Sequence, residues 1–211
     1  MYRKIWGLNQ LKKINFPCPP YVVIDIMRDK PVDVKKYILE KIEYIDVPKL
    51  EGDRVGVTIR VSMPYGLDRV AKHGGLHVTD KEEIVKRVLE KYAQYKPYCK
   101  IIIQHTVDAR CSGTILKEND HTVIEAIFGD APPLLEGVVS NYERWIFRSG
   151  KWEKERAYRI NNKEMQILEP ENIQVIERYI QMLPNSVYLE WSISRNGKLY
   201  FYEYYKFRNS R

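Results

Sequence analysis

The segment "YLEWSISRNGKLYFYEYYKF" (Tyr188–Phe207) places the strongest constraint on the fold of this chain. Apolar and polar residues alternate on both sides of Arg195–Lys198, and this pattern predicts an antiparallel hairpin. Each arm carries one glutamate among aromatic residues, Glu190 or Glu203. The fold must therefore place these two carboxylates on neighbouring, paired strands.

Helical patterns occur mostly early in the chain and strand patterns mostly late, which favours an α+β fold over a repeated βαβ winding. Asp33 and either Thr79 or Asp80 are expected to cap helices. The segment "MPYGLDRVAKHGG" is too rich in Gly, Pro and charge to predict regular structure. The predicted helices are "KIWGLNQLKKI", a segment after Asp33, "VTDKEEIVKRVLEKYAQY" and "ENIQVIERYIQML". The other predicted strands are a segment within "FPCPPYVVIDI", then "RVGVTIRVS", "KIIIQHTV", "CSGTILK", "HTVIEAIFG" and a hairpin turning at Ser149-Gly150.

The size and charge of the chain limit its organisation and its partners. With 211 residues, 44% of them hydrophobic, it suits one domain or two tightly joined lobes. We expect a cytoplasmic protein without membrane association, because no apolar run matches a membrane span or a secretory signal. The net charge of +7 favours anionic partners such as nucleotides, phosphorylated substrates or nucleic acid.

The cysteines predict neither a disulfide framework nor a zinc site. Cys18, Cys99 and Cys111 are widely spaced, and no CxxC or Cys/His spacing accompanies them. We expect each to be a buried, inert thiol.

Several familiar catalytic sequences are absent. The chain has no GxxxxGK[ST], GxGxxG, HExxH or GxSxG motif, so the usual support for the corresponding nucleotide, metalloprotease and hydrolase sites is missing. The remaining candidates are Arg60 at a strand end, Gln104 within an apolar strand, and the two hairpin glutamates. An isolated His73 beside Gly74-Gly75 is interpreted as a solvated loop residue rather than a catalytic one.

The paired glutamates offer a chemically specific hypothesis. Two carboxylates on adjacent strands come close enough to share a divalent ion, and Mg²⁺ takes one or two protein carboxylates beside phosphate oxygens and water. The pair therefore suits a magnesium nucleotide. In the alternative interpretation, each glutamate faces water or a lysine such as Lys198 or Lys206.

Five segments, in the same order along nearly the whole chain, resemble the N-terminal ATP-grasp nucleotide-binding domain of the phosphoenolpyruvate synthase and pyruvate phosphate dikinase family. The resemblance implies an ATP-grasp-like α+β fold of two lobes, with antiparallel or mixed sheets and flanking helices. It implies an N-terminal lobe at 1–95 and a C-terminal lobe at 96–211 in one compact unit, with magnesium ATP between the lobes. The similar segments are "GLNQLKKINFPCPPYVVI", "VTIRVSMP", "IIIQHTVDARCSGTIL", "IEAIFGDAPPLLEGVVSNYERWIF" and "YLEWSISRNGKLYFYEY".

The resemblance also assigns roles to individual residues. It implies that Glu190 and Glu203 hold magnesium and that Arg60, as a bidentate cationic donor, contacts phosphate and is the catalytic residue. The strand that contains Gln104, Thr106 and Val107 would line the adenine pocket.

Departures from the family bear on catalysis. The family's early lysine falls at Leu8, the arginine near its end falls at Tyr205, and Lys206, a further nucleotide-binding candidate, lies one position beyond. A segment with another phosphate-binding arginine is missing between Asp80 and Lys100. Because phosphoryl transfer depends on positioned cations, these losses should slow it greatly.

Three functions therefore stand as alternatives. The first is an ATP-dependent phosphotransferase, or kinase-like transferase, with an unidentified acceptor. The second is a catalytically degenerate nucleotide sensor or a subunit of a split synthase, whose phosphohistidine and pyruvate-binding domains lie on separate chains. The third is a single-stranded nucleic-acid binder that uses the aromatic and basic C-terminal segment "YFYEYYKFRNSR".

Overall fold

The computed structural model of the chain describes residues 1–47, 54–67, 75–135 and 137–207. No described helix is both long enough and apolar enough to cross a membrane. The helices are α1 (Arg3–Lys13), α2 (Ile26–Asp29), α3 (Val34–Glu43), α4 (Lys81–Tyr95), α5 (Pro132–Leu135) and α6 (Pro170–Gln181). The strands are β1 (Tyr21–Ile24), β2 (Arg54–Ser62), β3 (Gly75–Val78), β4 (Lys100–Val107), β5 (Ala109–Lys117), β6 (Thr122–Phe128), β7 (Glu143–Arg148), β8 (Lys151–Arg156), β9 (Tyr158–Ile160), β10 (Lys163–Met165), β11 (Val187–Ser194) and β12 (Leu199–Lys206).

The sequence signals for helix starts and turns are confirmed. The Asp33 side chain accepts a hydrogen bond from the Lys36 backbone N–H at 3.0 Å, and Asp80 caps α4 in the same way. The hairpin between β7 and β8 turns at Ser149 and Gly150, which both have positive φ angles. These short-range signals succeed because each depends only on residues within one turn.

The chain divides into two units. Unit 1 contains Met1–Asn9 and Pro19–Asp108, and unit 2 contains Gln10–Cys18 and Ala109–Arg211. The division thus falls after Asp108, whereas the sequence-based boundary lies at residue 95. The difference arises because β4 pairs with β1 and β2 of unit 1.

Unit 1 is built on a four-stranded antiparallel sheet in the order β1-β4-β2-β3. Helices α3 and α4 cover one face of this sheet. Aliphatic side chains of the helices and of the sheet pack together between them, and the burial of these side chains provides the main stabilisation of the unit. The core includes Ile38 and Ile42 of α3, Ile84 and Val88 of α4, Ile59 of β2, and Ile101 and Ile103 of β4.

Unit 2 is built on a six-stranded antiparallel sheet in the order β12-β11-β5-β6-β7-β8, and β9 and β10 form a separate hairpin. Helix α6 buries Ile173, Ile176 and Ile180. From the N-terminal part of this unit, Phe16 lies 4.9 Å, centroid to centroid, from both Tyr179 of α6 and Phe201 of β12. The Phe201 N–H also donates to the Pro17 carbonyl at 2.8 Å.

A glycine lets two strands of unit 2 accommodate a buried indole. A Cβ atom at Gly113 of β5 would lie 1.7 Å from the backbone oxygen of Glu125 and 2.8 Å from the ring of Trp191. Trp191 is fully buried on β11, directly opposite Gly113. The absence of a side chain at residue 113 therefore makes room for the tryptophan.

A buried carboxylate fixes the segment that leads into α6. Glu143, the first residue of β7, is 0% exposed, and its carboxylate accepts from the backbone N–H groups of Ile167 and Leu168 at 2.9 and 3.2 Å. The Trp145 indole N–H donates to the same carboxylate at 2.5 Å. Glu143 therefore ties the approach to α6 to the sheet, since these buried donors have their acceptor there.

Candidate functional site

A row of polar side chains crosses one face of the sheet of unit 2. Glu203 of β12 is directly opposite Glu190 of β11, and Glu190 is opposite Thr114 of β5. Thr114 is in turn opposite Glu125 of β6, and Glu125 is opposite Arg144 of β7. Directly opposed residues share a face and have Cβ atoms about 5 Å apart. We call these five residues the acidic row, because three of them are glutamates.

The two glutamates predicted as metal ligands are thus brought together. Glu203 is only 7% exposed, and Glu190 is partly exposed. Opposed like charges destabilise a strand pair, and the penalty grows as water is excluded. The donor set therefore fits a divalent cation: two carboxylates would ligate it, and phosphate oxygens and water would complete a Mg²⁺ shell.

Aromatic residues flank the end of the acidic row formed by Glu190 and Glu203. Tyr188 and Tyr205 are opposite each other on β11 and β12, and their rings stack with centroids 4.7 Å apart. Burial raises the pKa of the Tyr188 hydroxyl, and the charge of nearby Glu190 raises it further. Tyr188 is therefore a neutral hydrogen-bonding group at physiological pH and carries no charge of its own.

The other end of the acidic row was not identified from the sequence. The Thr114 hydroxyl donates to Glu125 Oε2 at 3.2 Å, and Arg144 Nε lies 3.8 Å from Glu125 Oε1 and 3.1 Å from Glu155 Oε2. Glu125 is thereby oriented by two neighbours. The sequence does distinguish Glu125, which is the single charged residue in the apolar strand "TVIEAIF". Its position relative to Glu190, however, depends on the strand register.

The polar face of the sheet of unit 1 carries three more of the predicted residues. Arg60 of β2 is 4% exposed and Gln104 of β4 is 1% exposed. Arg60 Nη1 donates to Gln104 Oε1 at 3.1 Å, so the two residues predicted to bind phosphate and adenine are in direct contact. Thr106 lies on the same face, and its hydroxyl hydrogen-bonds to that of Thr58 at 2.7 Å.

The remaining predicted positions lie elsewhere on these strands. Val107 is buried, and alternation along β4 places it on the face opposite Gln104 and Thr106. Lys206 is opposite Val187, so alternation places it on the face opposite Glu203. Leu8, at the family's lysine position, is a fully buried residue of α1.

A second group of potential metal ligands lies at the turn between β5 and β6. Among the described residues, the ligand atoms of at least three such side chains converge only at Glu118, Asp120 and His121. The imidazole Nδ1 lies 2.7 Å from Asp120, and Nε2 lies 3.7 Å from Glu118. The hydrogen bond from His121 lowers the pKa of Asp120. Contacts with the imidazole account for this cluster, since both imidazole nitrogens face a carboxylate.

Some sequence hypotheses concern other histidines and the C-terminus. His105 is buried in β4, and its Nε2 lies 2.5 Å from the Ile45 carbonyl oxygen, which indicates a structural role. His73 and Gly74 lie outside the described residues, as do residues 208–211 of the aromatic and basic segment. Within that segment, Phe201 and Tyr204 are buried, so their rings pack in the protein interior.

All three thiols are expected to react slowly in the folded protein. Burial raises the pKa of Cys18 to about 12 and that of Cys99 and Cys111 to about 11. At pH 8 a thiol with a pKa of about 11 is about 0.1% thiolate, and one with a pKa of about 12 is about 0.01% thiolate, against about a quarter for an unperturbed one. We therefore expect modification by a disulfide reagent at pH 8 to be at least about a hundredfold slower than for a free thiol.

The measurement follows the reaction of the thiols with the disulfide reagent by absorbance at pH 8, with and without guanidinium chloride. In the denatured chain, all three cysteine thiols should react with the reagent at once. A native cysteine that reacts as fast as free cysteine would contradict the assignment of inert thiols.

Comparison with known proteins identifies the fold. A scan against protein-family models gives no match, and neither does a search of curated proteins. Among solved structures, a RimK domain protein ATP-grasp from Sphaerobacter thermophilus matches 96% of this chain and 58% of its own, with a TM-score of 0.52 and 12% identity. The ADP complex of N5-carboxyaminoimidazole ribonucleotide synthetase matches 99% and 46%, with a TM-score of 0.51 and 11% identity.

A further neighbour has a similar length. The dinucleotide-forming acetyl-coenzyme A synthetase 1 of Candidatus Korarchaeum cryptofilum matches 94% of this chain and 89% of its own, with a TM-score of 0.53 and 9% identity. The chain spans only about half of the other two structures, 58% and 46%. At such low identity the likeness shows the fold and nothing finer. The chain has an ATP-grasp fold of the α+β class, with antiparallel sheets and flanking helices.

Proposed function

We propose that this ATP-grasp fold binds magnesium ATP, with Glu190 and Glu203 as the metal ligands. The observation that carries the proposal is the direct pairing of these carboxylates across β11 and β12, with Glu203 largely buried. The ATP-grasp fold supports it, because one structural neighbour is an ADP complex. Bound magnesium would offset the negative charge of the phosphates.

Separate proposals concern the candidate residues of unit 1. Arg60 would contact phosphate through its guanidinium, and the β4 segment with Gln104, Thr106 and Val107 would contact adenine. Lys206 lies on the opposite face of β12 from Glu203, so we rank it below Arg60 as a nucleotide contact. Each contribution belongs to one unit and can be tested by its own variant.

Within this function we favour nucleotide binding with weak or absent phosphoryl transfer. The family's phosphate-binding lysine is replaced by the buried Leu8, and its late arginine by Tyr205, which stacks on Tyr188. Neither replacement carries a positive charge to offset the transferring phosphoryl group. A nucleotide sensor, or a subunit that works with separate chains of a phosphoenolpyruvate synthase-like system, fits these replacements better than an independent kinase.

Thermal unfolding with defined ligands tests the proposal. Magnesium ATP at a hundredfold excess over its dissociation constant should stabilise the native state by about 2.7 kcal/mol and raise the Tm by several degrees. ATP with a chelator, or Mg²⁺ alone, should give a much smaller shift. No shift at millimolar magnesium ATP would rule out the proposed binding.

A turnover assay separates the two forms of the function. ATP hydrolysis or phosphoryl transfer that disappears in Glu190→Ala would favour the phosphotransferase. A melting shift without turnover would favour the sensor or split-synthase subunit.

A further inference from the structure

Gln104 is a buried amide that follows three buried isoleucines on β4. It lies on β4 directly opposite Thr58 of β2 and Tyr21 of β1, and it is 1% exposed. Its neighbours Ile103 and Ile102 are fully buried. An amide in such surroundings needs partners for both its oxygen and its nitrogen, because burying unpaired polar groups is costly.

Arg60 determines which way the amide points. The guanidinium Nη1 donates to Gln104 Oε1 at 3.1 Å. An arginine has only N–H donors, so the opposite orientation would set the amide N–H₂ against another donor. The carbonyl end of Gln104 is thus engaged by Arg60, and the nitrogen end is directed elsewhere.

The nitrogen end has no hydrogen-bond partner among the residues that the structure describes. The hydroxyl groups of Thr58 and Thr106, which lie on the same face, bond to each other at 2.7 Å, and that of Tyr21 donates to Asn9 at 3.2 Å. A buried donor without an acceptor costs about 1–3 kcal/mol. A ligand that presents an acceptor atom to Gln104 Nε2 would recover this cost.

We propose that Gln104 Nε2 donates a hydrogen bond to a ring nitrogen of adenine, and that Arg60 is the positioning residue that holds the amide in this orientation. The inference rests on the proposed function and specifies how that site reads its nucleotide. A charged guanidinium suits phosphate, whereas a neutral N–H suits the lone pair of a ring nitrogen.

The contact between Gln104 and Arg60 limits the hydrogen bonds that Gln104 can make to adenine. A free glutamine can pair with adenine through both its oxygen and its nitrogen. Here the oxygen is held by Arg60, so only the donor remains for the base. Gln104 should therefore detect the loss of a ring nitrogen. At N3 or N7, which are acceptors in both bases, it should not distinguish adenine from hypoxanthine, whereas at N1 it should, because N1 of hypoxanthine carries a proton.

The experiment compares calorimetric affinities of wild-type protein and Gln104→Met for magnesium complexes of ATP, 1-deaza-ATP, 3-deaza-ATP, 7-deaza-ATP and ITP. In the wild type, one deaza analogue should bind about tenfold more weakly than ATP. In Gln104→Met this penalty should fall below about twofold. The ratio of ATP to ITP affinity should stay unchanged if the sensitive analogue is 3-deaza-ATP or 7-deaza-ATP, and should fall if it is 1-deaza-ATP, because N1 of hypoxanthine carries a proton. Gln94→Met, which alters an exposed glutamine of α4, is the matched control and should retain the wild-type penalty.

Arg60→Met tests the positioning role separately. Its affinity for ATP should fall through the lost phosphate contact, and the penalty for the sensitive deaza analogue should also shrink, because the amide is no longer held. A purely phosphate-binding Arg60 would lower all affinities and leave that penalty intact. Unfolding curves of each variant without ligand establish that it is folded.

The outcomes separate this inference from the function on which it rests. If magnesium ATP does not bind the wild type, the proposed function fails. If it binds but all three deaza analogues bind equally well, or if the penalty survives in Gln104→Met, the function stands and the role of Gln104 is overturned.

Discussion

The double variant Glu190→Gln/Glu203→Gln is expected to lose magnesium-dependent nucleotide binding, with an affinity for magnesium ATP reduced at least about a hundredfold. The amide groups keep the size of the side chains but remove both anionic ligands that Mg²⁺ requires. The free energy by which saturating magnesium ATP stabilises the folded protein should be smaller in the double variant than in the wild type by about 2.7 kcal/mol or more. Calorimetry and thermal unfolding measure the two quantities.

Thermal unfolding of the ligand-free double variant establishes that it is folded. Glu153→Gln/Glu164→Gln is the matched control, because it removes two exposed carboxylates from the same unit. The metal assignment fails if the double variant keeps the full magnesium ATP shift, or if the control loses it.

Glu143→Ala is expected to reduce the free energy of unfolding by about 3–5 kcal/mol. The substitution removes the acceptor of the Ile167 and Leu168 backbone N–H groups and of the Trp145 indole N–H. Glu143 is fully buried, so water does not reach the position of the lost carboxylate. Donors left buried without acceptors incur the full desolvation penalty. Urea unfolding, monitored by tryptophan fluorescence and circular dichroism, measures the loss.

Two further variants check the reason for the loss. Glu143→Gln retains one carbonyl acceptor and should lose less stability than Glu143→Ala. Glu153→Ala on the adjacent strand β8 removes an exposed carboxylate that pairs with Lys151 at 2.6 Å and should cost less than about 1 kcal/mol. Equal losses in Glu143→Ala and Glu153→Ala would show that the buried hydrogen bonds are not the cause.

Alternation and capping predicted the local elements well. The bounds of β2 and β4 agree with the segments "RVGVTIRVS" and "KIIIQHTV", because each strand has β-branched residues along its length. The short elements α2, α5, β3 and β10 were not predicted, and β9 lies within the segment that was predicted as a hairpin. Each has only three or four residues, too few for a periodic pattern, so tertiary contacts determine them.

The candidate site was predictable only in part, since the sequence shows residue types but not register. The closing hairpin indicated that Glu190 and Glu203 would be neighbours, and the register pairs them directly. The extension to Thr114 and Glu125 depends on the pairing of β11 with β5 and of β5 with β6, which alternation does not determine. The contact of Arg60 with Gln104 likewise joins residues 44 positions apart.

Helix α1 and the residues after it have a consequence for how the protein is made. Unit 1 needs β4 as the common neighbour of β1 and β2, so its sheet cannot form until the ribosome has released residues up to Val107. Unit 2 takes Phe16 and Pro17 from the first part of the chain and joins them to Phe201 of β12. The earliest residues to emerge must therefore wait for nearly the last, and the second half of the gene, expressed alone, would lack the Gln10–Cys18 part of unit 2.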